Sequence, residues 1–143
     1  MELLKQENVR IIDKETNWEE AIRISIEPLE NGGYVKPEYK EAIIANVKKL
    51  GPYIVLTDDI VLPHARPEQG VVDSQLAVTL FRNPVEFNAE YPSTRLFIAL
   101  AAKDGEKHLK ALASITELFQ DEEKIQDMLS SVNTQSLYQK LTV

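Results

Sequence analysis

The sequence predicts an α/β protein in which a mixed β-sheet is sandwiched by helices on both faces, in a three-layer α/β/α arrangement. Stretches with apolar residues at helical spacing lie on either side of a central block of short β-branched and aliphatic runs, which is the pattern of a sheet covered by helices. The run at residues 95–102, RLFIALAA, is apolar almost throughout, as expected for a central strand buried on both faces. A length of 143 residues suits one compact unit, so residues 1–143 are expected to form a single domain.

The first third of the chain predicts one strand and two helices. Residues 9–13, VRIID, are typical of a short strand. Residues 18–31 predict a helix with Thr16 or Asn17 as its N-cap, ended by an Asn-Gly-Gly sequence. Residues 37–50 predict a second helix, because a proline suits its first turn and a Gly-Pro pair follows its last apolar position.

The remainder of the chain predicts four strands followed by three helices. The strands are expected at residues 53–57, 60–62, 75–81 and 95–102. A strong helix is expected from Gly105, and two shorter helices from near Asp121 and Asn133. The predicted order is therefore β-α-α-β-β-β-β-α-α-α, which requires at least one hairpin rather than a strictly alternating array.

The composition excludes several functional classes. Lys and Arg number 16 against 23 Asp and Glu, for a formal net charge of -7, which argues against nucleic acid as a partner. The chain has no cysteine, so it has neither a thiolate nucleophile nor a zinc site built on sulfur. The amino-terminal residues are charged throughout and no later apolar run approaches bilayer length, so we expect a cytoplasmic protein without direct membrane insertion.

His64 is the first candidate for a reacting group. It lies in the stretch TDDIVLPHARPEQG, directly after Pro63, which has no backbone N–H and therefore ends strand pairing and presents the next residue at the strand's edge. A neutral imidazole has a free lone pair that can attack phosphorus or accept a proton. The alternative is that the stretch is only a stiff surface loop.

His108 is the second candidate and the only other histidine. It shares a helical stripe with Leu112 and Ile115, so it is expected to face inward from the first turn of its helix. That turn follows the predicted strand at residues 95–102, and ligands of open α/β sheets, phosphate included, bind just beyond strand carboxyl ends. A core histidine satisfied by one hydrogen bond is the alternative.

The two histidines fit phosphoryl transfer better than metal binding. A metal would need a third ligand from Asp58, Asp59 or Asp104, and no spacing singles one of them out. A histidine nucleophile, assisted by a second histidine that donates a hydrogen bond to the phosphoryl oxygens, needs only these residues and no cofactor. A metal- or histidine-dependent hydrolase is a weaker alternative.

Two segments together resemble a known family. The stretch GPYIVLTDDIVLPHARPEQGV, with Leu62-Pro63-His64-Ala65 at its core, is similar to the active-site segment of the mannitol/fructose-type (type-2) enzyme IIA domains of the bacterial phosphoenolpyruvate:sugar phosphotransferase system. The stretch FIALAAKDGEKHLKALASITELF resembles a second family block, in which an apolar strand, a polar loop and a His-Leu pair opening a helix follow one another. Gly51-Pro52-Tyr53 and Arg66-Pro67 resemble the L-ascorbate branch most closely.

This resemblance implies a phosphocarrier for carbohydrate uptake. His64 would accept a phosphoryl group from the phosphocarrier HPr and pass it to a cysteine of an enzyme IIB, while His108 would stabilise the phosphohistidine. Many relatives place an arginine near the end of the preceding helix, where this chain has Lys48 or no equivalent. Arg66 is the other candidate for pairing with phosphate, or else a solvated loop charge.

The sequence leaves several alternatives open. A regulatory enzyme IIA-like domain, which signals its phosphorylation state to a protein partner, is the alternative to a role in transport. The sugar, the phosphorylated nitrogen and the oligomeric state, a homodimer included, are not set by the sequence. The surface that meets HPr and enzyme IIB is expected to include Ile60, Leu62 and the loop at residues 65–72.

Overall fold

The computed structural model describes residues 3–142 and has a sheet of four strands between two layers of helices. The strands are β1 (Leu4–Ile12), β2 (Ile60–Val61), β3 (Gln75–Val85) and β4 (Thr94–Ala101). The helices are α1 (Trp18–Asn31), α2 (Glu38–Leu50), α3 (Gly105–Phe119), α4 (Glu122–Leu129) and α5 (Thr134–Thr142). A short 3-10 turn at Pro67–Gln69 lies between β2 and β3.

The sheet is mixed and has the spatial order β1-β3-β4-β2. β1 runs parallel to β3, and β2 runs parallel to β4. β3 and β4 form an antiparallel hairpin, which confirms that the fold contains a hairpin. Because β2 and β4 are parallel neighbours, their carboxyl ends lie at the same edge of the sheet.

Alternate side chains of the central strands enter two separate cores. On β4, Leu96 and Ile98 contact the cluster that contains α3, α4 and α5, whereas Phe97 and Ala99 contact the cluster that contains α1 and α2. Since successive side chains of a strand point to opposite faces, a strand covered on both faces has to be apolar at nearly every position. The predicted three-layer α/β/α class is confirmed, and the apolar run that suggested it is β4.

The predicted strand at residues 53–57 is wrong. Tyr53 and Val55 donate their backbone N–H groups to the carbonyl oxygens of Gly51 and Pro52, at 2.7 and 3.1 Å, so tight turns use the donors that a ladder would need. An isolated antiparallel bridge joins Val55 to Val61. Of residues 53–57 only Ile54 is buried, so a β-branched composition here predicts neither a buried strand nor a ladder, and residues 3–142 contain one strand fewer than predicted.

β1 is longer than predicted, because it begins at Leu4 rather than at Val9. Its early residues Lys5, Gln6 and Glu7 are exposed, and the pairing with β3 is irregular between Leu4 and Val9. A polar, irregular half-strand has no apolar alternation to reveal it.

The helix starts agree with the capping residues read from the sequence. Asn17, one of the two predicted N-caps of α1, accepts a hydrogen bond from the Glu20 N–H at 2.9 Å. Asp121 caps α4 in the same way through the Lys124 N–H, at 3.1 Å. None of the helices in residues 3–142 has the length and apolar character needed to cross a membrane.

Candidate functional site

The two predicted histidines meet in one cleft. His64 follows β2 and His108 lies in the first turn of α3, directly after β4, so both are placed at the edge where these parallel strands end. Their ring centroids are 6.0 Å apart. Both rings line a cleft of about 750 Å³ and both side chains are half-buried. The sheet topology therefore assembles the pair that the sequence analysis singled out.

Backbone hydrogen bonds fix the segment before His64 on two sides. The Leu62 N–H donates to the Ile54 carbonyl at 2.7 Å, and the Leu100 N–H of β4 donates to the Pro63 carbonyl at 3.0 Å. Pro63 is buried and has no N–H to leave unpaired there. The histidine is thus held by the end of β4 rather than displayed on a free loop.

The imidazole of His64 has one tautomer that fits its surroundings. Its Nδ1 lies 2.7 Å from the Leu62 carbonyl oxygen. Since a carbonyl oxygen only accepts hydrogen bonds, this contact assigns the ring proton to Nδ1 and leaves the lone pair on Nε2. Nε2 is consequently the ring nitrogen with a free lone pair.

Burial keeps this ring neutral. Desolvation lowers the pKa of His64 below its ordinary value, the hydrogen bond to Leu62 opposes the shift in part, and the nearby His108 lowers the pKa further. Desolvation disfavours the charged form of an imidazole. The nitrogen lone pair therefore stays available at neutral pH and somewhat below.

Asp104 positions His108 by starting its helix. The Asp104 carboxylate accepts a hydrogen bond from the Lys107 N–H at 2.9 Å, and its carbonyl accepts one from the His108 N–H at 3.1 Å. The N-terminus of α3 thus opens beside the cleft, where its unpaired N–H groups and partial positive charge favour an anion.

The positively charged side chains near His64 differ in their surroundings. Arg66 lines the cleft, but its side chain is 77% exposed and its Nε lies 3.4 Å from Glu68 Oε1. Lys48 pairs with Glu19 of α1, with its Nζ 3.1 Å from Oε1, while the adjacent Lys49 lines the cleft.

The three aspartates considered as metal ligands do not converge. Asp104 lines the cleft as the helix cap, whereas Asp59 faces α4, with an oxygen 3.5 Å from Gln126 Nε2. Burial, Glu122 and Asp58 raise the pKa of Asp59. In the part of the chain from residue 3 to 142, no group of three or more His, Asp or Glu side chains is arranged to hold a metal ion.

The expected partner surface is partly wrong. Ile60 and Leu62 are buried in the core, at 0% and 1% exposure, because both point into the cluster beneath α3, α4 and α5. Leu50, the last apolar position of the second predicted helix, is 67% exposed and lines the cleft. In the loop at residues 65–72, Val72 is exposed.

The sequence analysis missed several residues that support the site from α2 and the segment after it. Tyr39 and Tyr53 are not among its candidate site residues, yet both place their hydroxyl groups on the backbone beside His64. The available signal was chemical, because a buried tyrosine hydroxyl usually finds a hydrogen-bond partner. Asn46 and Lys49, spaced as neighbours on one face of α2, also line the cleft.

Comparisons with known proteins identify relatives of this chain. Residues 2–142 match the family model described as "Phosphoenolpyruvate-dependent sugar phosphotransferase system, EIIA 2". The ascorbate-specific PTS system EIIA component of Escherichia coli K12 is 31% identical over 135 residues, covering 93% of this chain and 87% of that protein.

Two solved structures are similar over nearly the whole chain. The solution structure of the mannitol-specific cryptic phosphotransferase enzyme IIA CmtB from Escherichia coli has a TM-score of 0.91 at 28% identity, covering 99% of this chain and 96% of that one. The complex of enzyme IIAMtl with phosphorylated enzyme IIBMtl from Escherichia coli has a TM-score of 0.82 at 30% identity, covering 97% and 98%.

Proposed function

The chain belongs to the EIIA 2 family of the phosphoenolpyruvate-dependent sugar phosphotransferase system, and we propose that it carries phosphate on Nε2 of His64, from HPr to a cysteine of an enzyme IIB. As an EIIA component it is a phosphotransferase of that system. The observation that carries the assignment of the atom is the 2.7 Å contact from His64 Nδ1 to the Leu62 carbonyl.

Loading is an in-line displacement at phosphorus. The Nε2 lone pair of neutral His64 forms the new N–P bond while the N–P bond of phosphorylated HPr breaks, and its electron pair returns to the donor's imidazole nitrogen. Such transfers depend mainly on positioning and on electrostatic support for a loose transition state. The lowered pKa of His64 supports this step, because a protonated Nε2 has no lone pair to give.

Unloading reverses the roles. A thiolate of the enzyme IIB partner forms an S–P bond as the Nε2–P bond breaks, and the electron pair returns to the ring of His64. The similarity to a IIA structure described in complex with phosphorylated IIB supports an enzyme IIB as acceptor. Since this chain has no cysteine, the thiolate has to belong to the partner.

The remaining cleft residues stabilise the bound phosphoryl group. His108, with its ring centroid 6.0 Å from that of His64, donates a hydrogen bond to a phosphoryl oxygen. Lys49 and Arg66 line the same cleft and add positive charge. Both cationic side chains are exposed, so solvent screens their attraction for the phosphoryl group.

The proposed cargo is a carbohydrate of the ascorbate type, since an ascorbate-specific relative covers 93% of the chain; mannitol-type systems are the alternative, on the similarity to a mannitol-specific relative. Exchange of phosphate with HPr places the protein in the cytoplasm. A regulatory EIIA-like role would use the same phosphohistidine and differ only in its partner.

The test is phosphorylation with labelled phosphoenolpyruvate, enzyme I and HPr. We expect acid-labile label on the wild-type protein, none on His64→Ala, and slower loading of His108→Ala. Two-dimensional NMR of the loaded protein should show phosphorus coupled to Nε2. Label that persists in His64→Ala, or phosphorus on Nδ1, would overturn the assignment.

A further inference from the structure

The hydroxyl of Tyr39 is a buried junction between the two histidine segments. Tyr39 lies on α2 and is 0% exposed. Its oxygen accepts a hydrogen bond from the Ala65 N–H at 3.0 Å and donates one to the Leu100 carbonyl at 2.8 Å. Ala65 directly follows His64, and Leu100 is near the end of the strand that leads to His108. One oxygen atom therefore ties the two segments together.

Tyr53 holds the other side of the same peptide unit. Its hydroxyl donates to the His64 carbonyl, and its ring lies edge-on to the imidazole with centroids 5.4 Å apart. The His64 carbonyl and the Ala65 N–H belong to one planar peptide group. Two tyrosine hydroxyls thus hold that plane, one on each of its hydrogen-bonding groups.

Fixing this peptide plane fixes the direction of the imidazole. The plane sets the ψ angle of His64, while the bond from Nδ1 to the Leu62 carbonyl sets the ring relative to the preceding backbone. With both in place, Nε2 has one direction, into the cleft. A reacting atom displaced by about 1 Å can lose about a hundredfold in rate.

We propose that Tyr39 and Tyr53 are positioning residues for phosphoryl transfer, which clamp the His64–Ala65 peptide plane and so keep Nε2 aimed at the incoming phosphorus. This inference rests on the function proposed above. Both side chains act as neutral phenols, and burial raises the pKa of each, so they keep the protons that they donate.

Variants that lack one hydroxyl each distinguish an effect on the position of His64 from an effect on the binding of HPr. Tyr39→Phe leaves the Ala65 N–H and the Leu100 carbonyl without a partner in a buried site, so we expect the maximal rate of loading from phosphorylated HPr to fall by about a hundredfold. Tyr53→Phe frees one carbonyl at a half-buried position and should cost about tenfold. The HPr concentration that gives half the maximal rate should not change, because both hydroxyls bond to backbone carbonyls of this chain and are not free to bond to a partner.

Thr94→Val is the matched control. Thr94 is also 0% exposed, and its hydroxyl donates to the Val85 carbonyl at 2.7 Å in the β3–β4 hairpin. The substitution removes a buried hydroxyl and its hydrogen bond to a backbone carbonyl, as the tyrosine variants do, but Thr94 is not among the residues that line the cleft. We expect a lower midpoint of urea unfolding with an unchanged loading rate.

A ring-nitrogen NMR spectrum of His64 adds a readout that a purely structural role would not move. Wild-type protein should show the tautomer protonated on Nδ1, and both tyrosine variants a mixture of tautomers, whereas Thr94→Val should match the wild type. If Tyr39→Phe does not fold, Tyr53→Phe decides alone. Variants that load at the wild-type rate with an unchanged tautomer would refute the clamp while leaving His64 as the acceptor, and a wild-type protein that takes no label would refute the proposed function itself.

Discussion

Replacing Gly70 with alanine should bring the added methyl group into close contact with Tyr39. Gly70 has a φ of +141° and ends the turn after the His64 loop. A Cβ built on it would lie 3.0 Å from Tyr39 Cβ and 3.3 Å from Tyr39 Cα and N. These are atoms at the start of α2, so they cannot turn aside as the end of a flexible side chain could.

The expected loss of stability has two parts. An L-residue in this glycine-only backbone region costs about 1–3 kcal/mol, and forcing a methyl group into a packed contact costs about 1–3 kcal/mol more. Gly33→Ala is the control, because Gly33 also has a positive φ, +80°, but no atom lies within 4 Å of its added Cβ. Only the backbone cost of about 1–2 kcal/mol applies there.

Urea unfolding measures the difference in the free energy of unfolding between Gly70→Ala and Gly33→Ala, provided that the slope of that free energy against urea concentration is the same in both variants. We expect Gly70→Ala to lose about 2 kcal/mol more than Gly33→Ala, since the contact cost is the part they do not share. Gly70→Ala should also load more slowly from HPr, because a shifted Tyr39 weakens its bond to Ala65. Equal losses of stability, or a wild-type loading rate in Gly70→Ala, would refute the argument that Gly70 makes room for the clamp.

Three further predictions concern the cleft. Because burial lowers the pKa of His64, loading should lose less of its rate as the pH falls from about 7 to about 6 than it would with an imidazole of ordinary pKa, about 6.5. The free energy of unfolding should fall as pH drops below about 6.5, since the unfolded chain takes up that proton first; an NMR titration midpoint at or above the ordinary value would contradict both. Lys49→Ala should slow loading by at most about fivefold, which corresponds to the roughly 1 kcal/mol that a screened, exposed charge contributes, whereas Lys48→Ala should load normally, because the Lys48 Nζ pairs with Glu19. Asp104→Ala and Asp121→Ala each remove an N-cap, so each should lower the free energy of unfolding by about 1 kcal/mol. Only Asp104→Ala should slow loading, because only Asp104 starts the helix that carries His108. Slow loading of Asp121→Ala would instead show that capping affects the rate through general stability.

The sequence predicted the fold class because its strongest signals were local and consistent. An uninterrupted apolar run became β4, and stripes at helical spacing became α1, α2 and α3. The strand predicted at residues 53–57 was wrong because β-branched composition does not decide whether the backbone forms a ladder, and here turns use the N–H groups of Tyr53 and Val55. The exposed half of β1 was missed because its residues are polar, so a strand that pairs with β3 shows no apolar alternation there.

Within the site, the two histidines could be predicted and their support could not. His64 and His108 stand out by residue type and by following strands, and parallel pairing of β2 with β4 then brings them together. Whether Lys48 or Lys49 lines the cleft depends on the rotation of α2 against the sheet, because a one-residue change in helical phase turns a side chain by about 100°. The role of Tyr39 needed a contact between residues far apart in the chain, with its oxygen 3.0 Å from the Ala65 nitrogen, and no periodicity encodes such a contact.

A phosphocarrier has to aim its nucleophile firmly and yet release the phosphate readily, and the site meets these demands with different residues. In this proposal the groups that orient His64 are backbone and tyrosine hydrogen bonds, such as the buried one from Tyr39 to Leu100, and leaving such a buried group unpaired is costly. The cations that line the cleft, Lys49 and Arg66, are exposed, so each would add only about 0–1 kcal/mol of attraction to a bound phosphoryl group. The orientation of His64 therefore comes from groups in the protein interior and does not depend on whether phosphate is bound. The exposed cations stabilise the phosphorylated state only weakly, so its free energy stays close to that of phosphorylated HPr and enzyme IIB. Burying either cation beside His64 would be expected to speed loading and to slow the transfer onward.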